Sequence, residues 1–319
     1  MRNLISKGVR IFIISYALSC PLKSMNRFCR ELNLKMIAAK PHSPNKSLNI
    51  SIVSYDSTVS LLLNTLKSVT QAVQKLRELD PDFLVTLIIV DNYELNRLTL
   101  DLFSSLRKDL LEANCELLLI QGHGNIGYGS GQNLAVYSRP SHYHLFMNPD
   151  VEIAPNSLIA GVTYLESNRD VAIVSPNATN AEGKKQFLCK RYPTLLDLAL
   201  RGFSPRWIQG MFTERLSHYE MRELNESSAT KGIPIVSGCF MLCRGEAIRK
   251  VSGFDVAFFL YFEDFDLSLR VSEWATIAYL PSMRIQHTGG HAARKGFNHI
   301  GYFIRSALRF FKIYKWRWF

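Results

Sequence analysis

The sequence predicts an α/β protein, a mostly parallel sheet flanked by helices and followed by an amphipathic helical segment at the C-terminus. Two observations carry this. Short apolar runs bounded by turn residues alternate with segments of helical length and spacing. Polar or glycine-rich clusters directly follow three of those runs, where parallel sheets bind ligands, at the carboxyl ends of strands.

The elements follow in order. "LNISIVSY" (48–55) reads as a strand after the linker-like "PHSPNKS" (41–47). Residues 58–79 place Leu61, Leu62, Leu66, Val69 and Val73 on one side of a helix, which "DPD" ends. "FLVTLIIVD" (83–91) has the continuous apolar character of a strand covered on both faces. A helix near 95–112, a strand "CELLLI" (115–120), a glycine-rich loop and a helix over 130–137 come next. "HYHLFM" (142–147) and "VAIVS" (171–175) are further strands. Residues 203–232 are polar and carry no clear pattern. "IPIVSGCFMLCR" (233–244) is a strand or a pair of strands, "GEAIRKVSGF" a short helix ending at Gly253, and the tail from His299 is helical.

The 319 residues hold one large domain or two small ones, with a net charge of +11. The charge is uneven. Residues 1–47 and 283–319 each carry +8, which leaves the body near −5. Two basic ends on a mildly acidic body fit an anionic membrane surface and argue against nucleic acid. The six cysteines form no C-x-x-C pair and no zinc spacing, which points to buried, inert thiols and a reducing compartment. No apolar run reaches the roughly 20 residues of a spanning helix. "IFIISYAL" (11–18) behind Lys7 and Arg10 has the look of a short signal-peptide core but no clear cleavage site. Residues 1–47 are therefore read as a loosely structured or interfacial basic extension.

Four motifs bear on chemistry. In "QGHGNIGYGSGQN" (121–133), Gly122, Gly124 and Gly127 match G-x-G-x-x-G. The loop follows the third strand and no acidic residue ends a strand about 20 positions on, so a dinucleotide fold is poorly supported. A turn needing positive φ and a close approach of backbone N–H groups to a phosphate or sugar both remain open. "NPD" (148–150) offers Asp150 as a ligand for a divalent ion shared with phosphate oxygens, or as a plain turn. In "FFLYFEDFDLSLR" (258–270), a helix starting near Glu263 pairs Glu263 and Asp266 with Arg270 and turns Asp264 about 100° away. The helix dipole would keep Asp264 ionised, fit to accept a hydroxyl proton. His287, before two glycines, is a nitrogen ligand beside Asp150 or a structural histidine. Arg294 and Lys295 could meet phosphate. The tail sets Arg305, Arg309 and Lys312 opposite Phe303, Ala307, Phe310 and Tyr314, a pattern for packing on the domain or for lying in a membrane interface with Trp316 and Trp318.

Taken in this order, the motifs resemble family 2 glycosyltransferases of GT-A fold, with a Rossmann-like sheet, and within them the bacterial rhamnosyltransferases of O-antigen and cell-wall assembly. The resemblance runs from about 48 to 311 and rests on "VSGCFMLCRGEAIRKVSGFDVAFFLYFEDFDLSLR", "FMNPDVEI" and "GNIGYGSGQNLAV". The chain is then read as a basic extension (1–47) outside the resemblance, a GT-A glycosyltransferase domain (48–296) and a basic-aromatic C-terminal helix (297–319). The resemblance implies Asp264 as general base, Asp150 and His287 as ligands of Mg²⁺ or Mn²⁺, and Asp91 as reader of the nucleotide base. Asn148, Gly127, Gly129, Glu263 and Arg294 join the substrate-binding set. The implied reaction moves L-rhamnose from dTDP-L-rhamnose, with inversion, to a polyprenyl-diphosphate-linked sugar at the cytoplasmic membrane face. A galactofuranosyl or other hexosyl transferase would use the same motifs, and a non-catalytic sugar-nucleotide scaffold would bind donor without turnover. Asn148 replaces the first Asp of Asp-x-Asp, which leaves fewer metal ligands, and Tyr93 stands where a small residue usually follows the Asp-Asn pair.

Overall fold

The computed structural model describes residues 2–6, 9–15, 46–94, 98–289 and 297–319. A first half built of alternating strands and helices comprises β1 (Arg2–Ser6), β2 (Val9–Ser15), β3 (Ser47–Ser54), α1 (Val59–Leu79), β4 (Leu84–Asp91), α2 (Arg107–Glu112), β5 (Cys115–Gln121), α3 (Tyr128–Ser138) and β6 (Tyr143–Met147). After it come β7 (Val151–Ile153), α4 (Ser157–Ser167), β8 (Val171–Thr179), β9 (Lys185–Gln186) and β10 (Cys189–Lys190). Three short helices follow, α5 (Leu195–Phe203), α6 (Arg206–Met211) and α7 (Thr213–Tyr219). The chain continues through β11 (Thr230–Lys231), β12 (Ile235–Val236), β13 (Phe240–Arg244), α8 (Gly245–Lys250), α9 (Glu263–Ser272), β14 (Thr276–His287) and α10 (Phe297–Tyr314).

The main sheet runs β1-β2-β5-β4-β3-β6-β13-β8-β14-β11. Strands β2, β5, β4, β3 and β6 are parallel neighbours, and β13 is antiparallel to both β6 and β8. β3 and β4 are buried along almost their whole length, because α1, α2 and α4 cover one face of the sheet and α3, α8 and α9 the other. The loops after β4, β5 and β6 therefore share one rim, as the punctuation of the sequence predicts. β13 changes the direction of the sheet and brings the turn before it, 237–239, to that same rim.

Three readings differ from the structure. The loosely structured N-terminal extension is overturned in part: Val9–Ser15 is a strand parallel to β5, with Ile11 opposite Leu117, and Arg2–Ser6 pairs with it antiparallel at the sheet edge. Its alternation supplies the reason. Ile13 packs on one face of the sheet and Phe12 and Ile14 on the other, against an otherwise open strand edge. The helix expected near 95–112 is a short 3₁₀ segment, Leu100–Leu106, continued by α2. The unassigned stretch 203–232 contains α6 and α7, each too short to print a helical period on the sequence. Among the described residues no helix is long and apolar enough to cross a membrane. Cys115, Cys189, Cys239 and Cys243 are free and buried, as expected.

Candidate active site

The antiparallel register that sets Phe240 opposite Met147 faces the Asn148-Pro149-Asp150 turn with the Ser237-Gly238-Cys239 turn. The Asn148 N–H donates to the Cys239 carbonyl at 2.9 Å and fastens the two turns together. On the other side, the β7–β14 register places His287 opposite Val151, and the Thr288 N–H donates to the Asp150 carbonyl at 3.0 Å. As a result His287 Nε2 lies 3.5 Å from Asp150 Oδ1. Gln186 fixes the imidazole: Nδ1 is 2.8 Å from its Oε1, and its Nε2 donates to the His287 carbonyl at 3.0 Å. An amide oxygen only accepts, so Nδ1 carries the proton and Nε2 is directed at the carboxylate.

This pair fits a divalent ion. An oxygen and a nitrogen ligand held by second contacts are what a Mg²⁺ or Mn²⁺ site contributes when a substrate diphosphate and water complete the shell. Among the described residues no group of three or more His, Cys, Asp or Glu could hold a metal alone, so the protein contribution would be these two. Gly289 keeps the place open, because a Cβ there would stand 1.9 Å from Asp150 Oδ2 and 3.2 Å from His287 Nε2.

Across the 237–239 turn stands the N-terminus of α9. Two consecutive non-glycine residues before it, Tyr261 and Phe262, have φ of 71° and 65°. The left-handed region costs an L-residue about 1–2 kcal/mol, so packing must enforce it. Phe262 lies 5.2–5.3 Å, ring to ring, from Phe265, Phe303 and Phe310, and the Tyr261 hydroxyl is 3.0 Å from His299 Nδ1. This forced corner aims the first turn of α9 at the rim. There the three carboxylates separate. Asp266 accepts Arg270 Nε and Nη2 at 2.8 and 2.6 Å and the Tyr314 hydroxyl at 2.8 Å, the ion pair expected from the sequence. Glu263 does not join it. It is 5% exposed, and its Oε2 has no hydrogen-bond partner. Asp264 keeps an open side, while its Oδ2 accepts the Gly238 N–H at 2.8 Å and its Oδ1 the Phe265 N–H at 3.0 Å.

The helix dipole is not the dominant influence on this pair. Burial first, and the neighbouring Asp264 charge second, push the Glu263 carboxyl well above the ordinary range. Burial also raises Asp264, against the backbone amides of Gly238 and Phe265. Both carboxyls are raised and Glu263 is raised further, so Asp264 is the member of the pair that loses its proton more readily. Both ends of the site meet at Cys239. Its thiol is pushed up to about 12, chiefly by burial, with the charges of Asp150 and Asp264 adding to the rise. The proposed base and the proposed metal ligand thus flank one turn.

The reading of the glycine loop as a turn needing positive φ is met at Gly122, Gly124 and Gly127. Gly127 has φ +86°, and a Cβ there would meet the Phe259 carbonyl oxygen at 2.3 Å. The Tyr128 N–H donates to that same oxygen at 3.1 Å, and the Gly127 N–H to Asn125 Oδ1 at 3.1 Å. A Cβ at Gly129 would stand 2.9 Å from Phe254 Cβ and 3.4 Å from Glu263 Cβ. These glycines let α3 close on the segment that carries the carboxylates. Asp91 is 2% exposed and takes the N–H groups of Tyr93 at 3.0 Å and Leu98 at 3.4 Å, which shapes its own loop. Arg294 lies outside the described residues. The sequence reading missed Gln186, Gly238 and Tyr128, whose hydroxyl donates to the Gly238 carbonyl at 2.6 Å. Only strand pairing brings these together, and no local spacing announces it.

A sheet of this topology, with these facing turns at its rim, defines a glycosyltransferase of GT-A fold. The model of the family described as "Glycosyl transferase family 2" matches residues 50–252, and the chain belongs to that family. It is 28% identical over 204 residues to the Escherichia coli K12 rhamnosyltransferase WbbL, spanning 61% of this chain and 73% of that one. It is 24% identical over 188 residues to the N-acetylglucosaminyl-diphospho-decaprenol L-rhamnosyltransferase of Mycobacterium tuberculosis, spanning 54% of this chain and 59% of that protein. Among solved structures, GalNAc-T7 with UDP, GalNAc and Mn²⁺ superposes with a TM-score of 0.57 at 10% identity, covering 98% of this chain and 63% of that one. The Pyrobaculum calidifontis mannosyltransferase PcManGT with GDP-Man and Mn²⁺ gives 0.51 at 13%, covering 90% and 75%. At such identities these two speak for the fold alone.

Proposed function

We propose that the protein transfers L-rhamnose, with inversion, from dTDP-L-rhamnose to a hydroxyl of a polyprenyl-diphosphate-linked sugar during surface-polysaccharide (O-antigen) synthesis, working on the cytoplasmic face of the membrane. The observation that carries the chemistry is the position of Asp264, held by two backbone N–H groups one turn away from the Asp150–His287 pair. Rhamnose is supported by the names of both relatives, and the lipid-linked acceptor by that of the Mycobacterium tuberculosis protein alone.

Asp264, the more readily ionised member of its pair, takes the acceptor O–H proton as that oxygen bonds to the anomeric carbon. The carbon–oxygen bond to the donor diphosphate breaks on the opposite side, and its electron pair leaves with the nucleotide. One displacement inverts the centre. A divalent ion on Asp150 and His287 would supply charge stabilisation for the leaving diphosphate. Glu263, protonated beside the base, is able to donate a hydrogen bond to a sugar oxygen. Asn148, Gly127 and Gly129 would stand beside the donor, and Asp91 would read its nucleotide base.

The test is incubation with a panel of nucleotide sugars and synthetic lipid-diphosphate acceptors, with and without Mn²⁺, and product analysis by mass. A rhamnosylated acceptor formed from dTDP-L-rhamnose is expected. Transfer from another donor alone would replace the sugar assignment, and donor binding without any product would remove the catalytic one.

A further inference from the structure

α10 leaves more apolar surface uncovered than the fold requires. Its inner side is complete: Ala307, Phe310 and Phe311 are buried with Phe258 and Phe262. A second stripe, Ile300, Ile304 and Leu308, repeats every four residues on the outside and is 42–53% exposed. Between α10 and α5 runs a groove of about 310 Å³ lined wholly by apolar side chains, among them Leu198, Phe203, Leu308 and Trp316. α5 leads into α6, whose Trp207 and Met211 are 70% and 73% exposed. Twelve of the eighteen large apolar side chains exposed among the described residues fall within 203–212 and 300–319. Single exposed apolar residues are ordinary, whereas a concentration of this kind marks an interaction surface.

Charge identifies the partner. Residues 297–319 contain five Lys or Arg and no acid. Arg309 is bound to Asp255, and Arg317 lies over the Tyr192 ring. Arg305, Lys312 and Lys315 are exposed, with no ion pair among the described residues. A second copy of the chain would set this unopposed positive charge against itself across a two-fold axis. Tryptophan, aliphatic side chains and cations gathered in 297–319, a segment without acids, match an anionic bilayer interface.

We propose that α5–α6 and the outer stripe of α10 with its tail form a two-part anchor on an anionic lipid bilayer. Trp207 and Met211 enter the interfacial zone at one end and Trp316 and Trp318 at the other, with Arg305, Lys312 and Lys315 at headgroup phosphates. The anchor is tied to the catalytic corner: Ser306 Oγ donates to the Leu260 carbonyl at 2.8 Å, and the Tyr314 hydroxyl holds Asp266. The proposal deepens the transferase reading, and rests on it, in giving a lipid-borne acceptor its side of approach.

The experiment is sedimentation of the full chain with phosphatidylglycerol–phosphatidylcholine vesicles and with phosphatidylcholine alone. Binding to the anionic vesicles, weakened by salt, is expected. The double variant W207S/M211S should bind at least tenfold less, and R305Q/K312Q about fivefold less for each cation removed. Both should keep the wild-type Tm and turnover of a water-soluble short-chain acceptor. Wild-type binding by W207S/M211S, or equal binding to neutral vesicles, overturns the anchor. A dimer in light scattering that W207S/M211S abolishes also overturns it, in favour of a second copy. Failure of the transferase reading would appear separately, as vesicle binding without turnover of any donor.

Discussion

Two sides of one helix behave in opposite ways. On the outer side of α9, Asp266 is saturated by Arg270 and Tyr314, and Arg270 also donates to the Val251 and Gly253 carbonyls. Three and two residues earlier, on the pocket side, Glu263 has a buried oxygen without a partner and the Asp264 carboxylate is held only by backbone amides. Both sides are acidic and both are crowded by protein. Composition therefore does not separate structural from functional carboxylates, and completeness of pairing does. A buried acid whose partners are complete is part of the scaffold; one left incompletely paired carries an unmet desolvation cost and is available to a ligand.

The largest expected effect breaks the pocket side. Asp264→Asn removes the proposed base and should lower transfer about 10²–10⁴-fold. Nucleotide binding, followed by calorimetry, should stay near wild type. Full transfer in this variant would remove the proposed mechanism. The next breaks the outer side. Asp266→Asn leaves Arg270 uncompensated and should destabilise the fold by about 3 kcal/mol, the low end for a broken buried pair because Arg270 is partly exposed. Denaturant unfolding measures this, and activity per folded molecule should hold. If Asp266→Asn instead abolishes turnover at full stability, the division between the two sides is wrong.

A third expectation extends the comparison to the Asp150–His287 pair. Gln186 touches neither reacting group, yet it holds the imidazole through two hydrogen bonds. Gln186→Ala should weaken Mn²⁺ affinity, read by titration in the presence of nucleotide, about 10–100-fold. It also marks where the sequence stopped being informative. Asp150, His287 and Asp264 were legible because each sits at the edge of a strong apolar run, and such edges are where strands and helices deliver side chains to a rim. The start of α9 and the Asp266–Arg270 pair were legible from helical spacing. Gln186 arrives through the two-residue strand β9, too short to leave a period, and the amide of Gly238 has no side chain to announce it. The mistaken pairing of Glu263 with Arg270 has the same origin. Helical spacing permitted two acids to reach one cation, and only the packing of Gly129 and Phe254 beside Glu263 decides that it turns inward.

The smallest effect is the most discriminating. Glu263→Gln keeps shape and a hydrogen-bond donor but cannot ionise. At neutral pH it should change turnover by no more than about tenfold, the worth of one altered hydrogen bond. The pH profile should differ more. Both proteins share an acid limb, where Asp264 takes up its proton above the usual aspartate range. Only the wild type has an alkaline limb, where Glu263 ionises against Asp264. Stability follows with a definite sign. A carboxyl whose folded pKa is raised contributes stability that is complete below its unfolded value, about 4.3, and is lost as pH rises towards the folded value. Gln at 263 carries no such loss, so the two proteins should melt together near pH 4. By pH 8 the variant should melt above the wild type. An alkaline limb that survives in the variant would assign the proton to another group. A variant that melts below wild type at pH 8 would mean that Glu263 is paired in solution, and the contrast between the two sides of α9 would then rest on Asp264 alone.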